Sequence, residues 1–212
     1  MKRIYLIIFL WNIATAVVQA QDGFQAIAAT NDFKKRLNES SVSIQTLTGS
    51  FTQVKYIDLL EEKMVSEGAF AYKKSDRIRF DYTAPERYLL VVNEQQVKIV
   101  ADGKTNIYDL KKNKTAVQMN LLMSACMTGD IDRLNVDYQL LFHENGEQYR
   151  IRILPNTNNL TVQQMDILID KKDFAVQQLK ITETSGDYTL YSFSEQKKNT
   201  AVPDAWFNIG TP

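Results

Sequence analysis

Between Gly49 and Ser194, apolar residues return at every second position in one short segment after another, and most of the breaks between segments are brief and polar. A period of two is the signature of strands with one face buried. It predicts strands over 49–57, 67–73, 77–82, 88–92, 96–101, 105–109, 164–170, 174–183 and 187–194. A hairpin over 136–154 turns at Glu144-Asn145-Gly146-Glu147. That makes about eleven strands joined almost consecutively by hairpins, so the sheet is antiparallel, and a twisted sheet of that size curls. Two segments depart from the pattern: 24–39 has helical spacing, with Phe24, Ile27, Ala28 and Leu37 near one face, and Met119–Gly129 has it again.

The first twenty residues have a basic start at Lys2 and Arg3, an apolar run from Ile4 to Trp11 and Val18-Gln19-Ala20 before a cut, the pattern of a secretory signal peptide. The run is interrupted by Asn12 and is shorter than the ~20 residues a bilayer span needs. The expectation is cleavage after Ala20, a single domain over 21–212, and a soluble exported protein. Losing Lys2 and Arg3 leaves that domain with a net charge of −2, which gives no electrostatic ground for nucleic acid as a partner.

A single histidine and a single cysteine cannot form a His/Cys zinc site, and they leave one imidazole for any nucleophile–base pair. His143 lies just before the Asn145-Gly146 turn and reads as a turn histidine. Cys126 lies on an apolar helical face and reads as an inert thiol. The acidic pairs Glu61-Glu62 and Asp130/Asp132 read as surface carboxylates. There is no phosphate-binding glycine loop and no nucleophile elbow. No catalytic residue, metal ligand or cofactor is expected.

Aromatic area is what the sequence offers instead. Phe70 and Tyr72 share one parity, as do Ile78, Phe80 and Tyr82, with Leu90 on the next strand; Arg77, Arg79 and Asp81 take the opposite, solvated side. Such a face serves either as an ordinary core or as the concave wall of a cavity for apolar ligands. Met119, Leu122, Met123, Cys126 and Met127 fall on one face of the second helix. They fit a short helix packed on the sheet, or a movable apolar cover, since thioethers repack against irregular ligands at low cost.

Gly49-Ser-Phe-Thr-Gln53 after an amphipathic helix, Gly68-x-Phe70-x-Tyr72, Arg79-Phe80-Asp81-Tyr82-Thr-x-Pro85, and Gly186-Asp-Tyr-Thr189 with Phe193, Asn199, Pro203 and Phe207 together resemble the periplasmic outer-membrane lipoprotein carriers, the LolA family. The resemblance implies a mainly β fold, an incomplete antiparallel β-barrel of about eleven strands covered by short helices and enclosing a hydrophobic cavity. It implies a periplasmic monomer that binds the acyl chains of a lipoprotein or another acylated lipid. An inner-membrane lipoprotein-releasing transporter and an outer-membrane receptor are the implied partners. The expected ligand-binding residues are Phe70, Tyr72, Ile78, Phe80, Tyr82, Leu90, Met119, Leu122, Met123 and Met127. The family's lid-holding arginine falls at Lys74, which becomes the expected lid contact, with Lys73, Arg77 and Arg79 nearby as alternatives. A lysine lacks the planar fork of an arginine. The competing function is a lipid-sensing or regulatory envelope module on a related half-barrel.

Overall fold

The computed structural model describes residues 23–93, 96–110, 114–134, 138–156 and 161–210, with the backbone alone for 114–119. The signal-peptide segment 1–20 and the side chain of Met119 lie outside the described residues.

One antiparallel sheet carries the fold. Its strands are β1 (Gln25–Ala26), β2 (Thr46–Ile57), β3 (Glu62–Lys73), β4 (Arg77–Ala84), β5 (Tyr88–Asn93), β6 (Gln96–Ala101) and β7 (Lys104–Asp109), followed by β8 (Tyr138–Glu144), β9 (Gln148–Pro155), β10 (Val162–Asp170), β11 (Val176–Glu183) and β12 (Tyr188–Lys198). In space the order is β1-β8-β9-β10-β11-β12-β2-β3-β4-β5-β6-β7. β1 and β7 are the two edges and do not pair, so the sheet curls without closing. Register shifts in β10, in β12 beside β2 and where β3 meets β4 add local twist and help the curl.

The expected helix over 24–39 is shorter at its start and longer at its end. It is α1 (Thr30–Val42), with Phe33, Leu37 and Ser41 buried at four-residue spacing. Gln25 and Ala26 instead extend the sheet edge by pairing with Glu144 and His143. Phe33 sits edge-on to Phe142 at 5.7 Å and against Tyr149 at 4.5 Å, which seats α1 on β8 and β9. The second helix, α2 (Lys114–Thr128), begins five residues earlier than expected. It is followed by a 3-10 turn at Ile131–Leu134.

The glycine-aromatic motifs have a direct physical role. Across β2 and β3, Gly49 faces Phe70 and Phe51 faces Gly68. A Cβ on Gly49 would lie 2.8 Å from the Phe70 ring, and one on Gly68 would lie 2.8 Å from the Phe51 ring and run into the Asp81 carbonyl oxygen. Each ring therefore lies over the glycine of the opposing strand. Phe51 then meets Phe80 at 5.1 Å and Tyr82 at 4.9 Å, both edge-on, an arrangement that aromatic rings favour.

The other side of β4 is not simply solvated. Ala71, Val91, Val202, Phe207 and Ile209 form a second, smaller cluster there, with the C-terminal segment folded over the sheet. Lys73 and Arg77 both hold Asp204, at 2.8 and 2.7 Å. Arg79 binds Asp81 through two hydrogen bonds and donates to the Trp206 carbonyl at 3.1 Å. The sequence pattern of alternating charge was correct about facing but gave no sign that a distant segment would cover that face.

Candidate functional site

The concave face is dominated by aromatic and aliphatic side chains, and α2 lies in the concavity against β11. Leu122, Ser124, Ala125, Cys126, Met127 and Thr128 are all buried. Over Leu122–Thr128 the helix is thus enclosed around most of its circumference instead of presenting one apolar stripe. Ser124 and Thr128 are accommodated because Thr128 donates to the Ser124 carbonyl at 2.9 Å and Ser124 Oγ donates to Asp76 at 2.7 Å.

Between α2 and the wall is a cavity of about 210 Å³. Ile78, Phe80, Leu90, Val92, Val97, Leu110, Asn120, Met123 and Tyr191 line it. Four of the residues expected at the site, Ile78, Phe80, Leu90 and Met123, therefore meet around one space. Phe70, Tyr72, Tyr82, Leu122 and Met127 are buried in the surrounding core without lining it. Val92 and Val97 extend the same wall, and the parity of Leu90 is enough to reach Val92. Tyr191 comes from β12, whose place next to β2 no local pattern discloses. Besides the Tyr191 hydroxyl the polar lining is Asn120, whose Oδ1 is buried without a hydrogen-bond partner among the described residues.

Among the described residues Lys74 makes no hydrogen bond or ion pair with α2. Its ammonium is exposed and makes no hydrogen bond or ion pair among the described residues; its backbone N–H donates to Gln45. Asp76, two residues on, does contact α2 and the turn that follows it. Arg133 grips both Asp76 carboxylate oxygens, each at 2.7 Å, and Ser124 adds its hydroxyl to Oδ1. Ser75 and Asp76 have φ values of 74° and 55°, the left-handed turn that aims the carboxylate at the helix. The Arg133 guanidinium, then the Ser124 hydroxyl, hold the Asp76 carboxyl below its ordinary range against the opposing effect of burial. Burial pushes the neighbouring Asp130 carboxyl upward, with Arg133 and Lys74 partly offsetting it. The alternatives Lys73, Arg77 and Arg79 are committed to Asp204, Asp81 and Trp206 on the opposite face.

No group of three or more His, Cys, Asp or Glu residues able to hold a metal exists among the described residues. Burial alone pushes the Cys126 thiol well above its ordinary value, so it is unreactive while α2 is seated. His143 is not in the turn but within β8, opposite Ala26 and Arg150; desolvation, then Arg150 and Arg152, lowers its imidazole pKa.

Residues 42–210 match the family model for the outer membrane lipoprotein carrier protein LolA. The chain belongs to the LolA family. Members of this family are lipoprotein carriers, binding proteins and not enzymes, and they are periplasmic. The chain is 27% identical over 191 residues to the outer-membrane lipoprotein carrier protein of Leptothrix cholodnii, covering 87% of this chain and 84% of that one. It is 21% identical over 212 residues to the carrier of Azotobacter vinelandii, covering 99% and 96%. Among solved structures, a LolA superfamily protein from Nitrosomonas europaea aligns with a TM-score of 0.43 and 10% identity, covering 82% of this chain and 97% of that one. A DUF1329 family protein from Desulfovibrio piger aligns with a TM-score of 0.49 and 10% identity, covering 87% and 98%. Among the described residues no helix is long and apolar enough to cross a membrane.

Proposed function

We propose that this LolA-family chain, exported by residues 1–20 and acting as the single domain 21–212, shelters the acyl chains of a lipoprotein or another acylated lipid beneath α2. It would take this cargo from an inner-membrane lipoprotein-releasing transporter and pass it to an outer-membrane receptor as a soluble periplasmic monomer. The observation that carries the reading is the cavity: walled by Ile78, Phe80, Leu90, Val92, Val97 and Leu110 and faced by Met123, it offers almost no polar group to anything but an apolar chain. Phe70, Tyr72, Tyr82, Leu122 and Met127 form the shell that would line a larger space once α2 moved.

The size of the cavity indicates how the protein would work. At about 210 Å³ it is smaller than the roughly 300–1,000 Å³ of ordinary ligand sites. An acyl chain of about sixteen carbons, wholly sheltered, would gain roughly 12 kcal/mol at about 0.8 kcal/mol per methylene. That gain is enough to displace a packed helix and too much for ready release if nothing competes. The seated α2 supplies the competitor, because its return to the wall recovers part of what the departing chain loses. Mass spectrometry of lipids that co-purify with the periplasmic protein tests the reading. An acylated peptide or lipoprotein is expected; a preparation carrying only free fatty acid favours a specialised carrier or a sensor, and one carrying nothing apolar counts against both.

A further inference from the structure

The inward residues change character along the strands. On β4 they run Ile78, Phe80, Tyr82 and on β2 Phe51, Gln53, Lys55, so each strand passes from apolar to polar toward the same end of the sheet. Tyr82 faces Tyr88 and Gln53 faces Tyr191 in the register. The Tyr82 and Tyr88 rings stack with centroids 3.8 Å apart. Gln53 Nε2 donates to the Tyr191 hydroxyl at 3.0 Å, and the Tyr82 hydroxyl lies near enough to those of Tyr88 and Tyr191 to interact with both. These four groups form a belt of buried or half-buried donors across the wall. On one side of it Tyr191 closes the 210 Å³ cavity; on the other, Gln53 and Tyr88 border an open groove of about 510 Å³ of mixed lining, Lys55, Ser66 and Glu86 beside the apolar Met64, Val65 and Pro85. The division is a single layer of side chains.

We propose that this tyrosine–glutamine belt is a second subsite, which receives the ester or amide carbonyl of an acylated molecule while its chain occupies the cavity and its head lies in the groove. A carbonyl oxygen only accepts, and a phenol hydroxyl can turn from a neighbouring hydroxyl to a ligand without losing its bond count. The belt stands where the apolar wall ends, which is where such a linkage falls when a chain fills the cavity. Lys55 and Glu86 both border the groove, so a neutral or zwitterionic head suits it better than one of a single sign. The subsite rests on the acyl-carrier reading and narrows its ligand class to carbonyl-linked chains.

Two synthetic probes separate the inference from the reading beneath it: a lipopeptide with two palmitoyl esters on a glyceryl-cysteine, and its diether counterpart lacking those carbonyls. Both are titrated below their aggregation concentrations against the full domain and against Tyr191→Phe, Tyr82→Phe and Gln53→Leu, each checked by thermal melting. The wild-type protein is expected to bind the ester more tightly, and each variant to lose about three- to tenfold for the ester, as one hydrogen bond would give, with the diether unchanged. Equal affinity of the wild-type protein for both probes, or equal losses on both in the variants, overturns the subsite and leaves the carrier standing. Failure of the wild-type protein to bind either probe overturns both.

Discussion

Replacing Asp76 by asparagine should unlatch α2 without unfolding the sheet. Asparagine is tolerated at the left-handed φ of 55° that this position requires, so the turn itself is retained. The perturbation acts on three charge-assisted contacts, two from Arg133 and one from Ser124, all at 2.7 Å. Each would be strong if buried, but the Asp76 and Arg133 side chains keep 25% and 34% of their exposure. Water therefore screens the pair and rehydrates the freed guanidinium, and the amide oxygen retains one contact. The net loss is about 1–2 kcal/mol. Cys126 provides the measurement: it is fully buried on α2 and unreactive there. Labelling by a disulfide reagent under native conditions reports the fraction of time the helix is displaced, and should accelerate about five- to thirtyfold in the variant. Denaturant unfolding supplies the control. Unchanged labelling, or labelling that rises only as much as global unfolding rises, would refute the assignment of Asp76 as the latch.

The same carboxylate sets a pH dependence. Its folded pKa lies below the ordinary value of 3.8, so its contribution is complete above that value and disappears as pH falls through the folded pKa. Amide exchange protection in α2 should be flat through neutral pH and drop in strong acid, less so in Asp76→Asn; protonation of Asp130, whose pKa is raised, opposes the drop without abolishing it. Phe80→Ala should cost about 3–5 kcal/mol, as expected for a buried phenylalanine, and Met123→Glu should abolish binding of a fluorescent acyl probe. Normal probe binding by both variants would remove the cavity assignment. Gly68→Ala should destabilise by at least about 2–3 kcal/mol in urea, because the new methyl meets the Asp81 carbonyl oxygen and the Phe51 ring together; a neutral effect would contradict the ring-over-glycine packing.

The parts of the site legible in the sequence are those written in local alternation. Ile78 and Phe80 share a parity, Leu90 stands opposite Phe80 in the register, and the three converge on one space because a strand face is fixed by counting in twos. Met123 follows from helical spacing in the same way. Asp76 did not, since nothing about an aspartate in a polar turn signals that Arg133, 57 residues later, will reach it. Tyr191 and the cover over Arg77 and Arg79 are likewise products of sheet order, which joins β12 to β2 across most of the chain. The helix expected to begin at Phe24 failed for a related reason. Its first residues have helical spacing, but Gln25 and Ala26 satisfy backbone groups by pairing with β8, an option that periodicity alone does not weigh.

The polarity of the latch bears on how cargo would be exchanged. The family resemblance implied a cation, at Lys74, as the contact from this turn to the helix. Here the turn carries the acid, and its partners are the Ser124 hydroxyl and the Arg133 guanidinium, so α2 can leave with its own backbone bonds intact. The energetic asymmetry follows. A latch of about 1–2 kcal/mol is small beside the roughly 12 kcal/mol of a sheltered chain, so it cannot decide whether cargo enters. It can set how much of the empty protein is closed, and the apparent affinity is the intrinsic one multiplied by the open fraction. Because the ion pair is partly exposed, salt should weaken it and raise that fraction, whereas the apolar contacts of Leu122, Met123 and Met127 are indifferent to ionic strength. Faster Cys126 labelling at high salt in the wild-type protein, absent in Asp76→Asn, would separate the two contributions to closure.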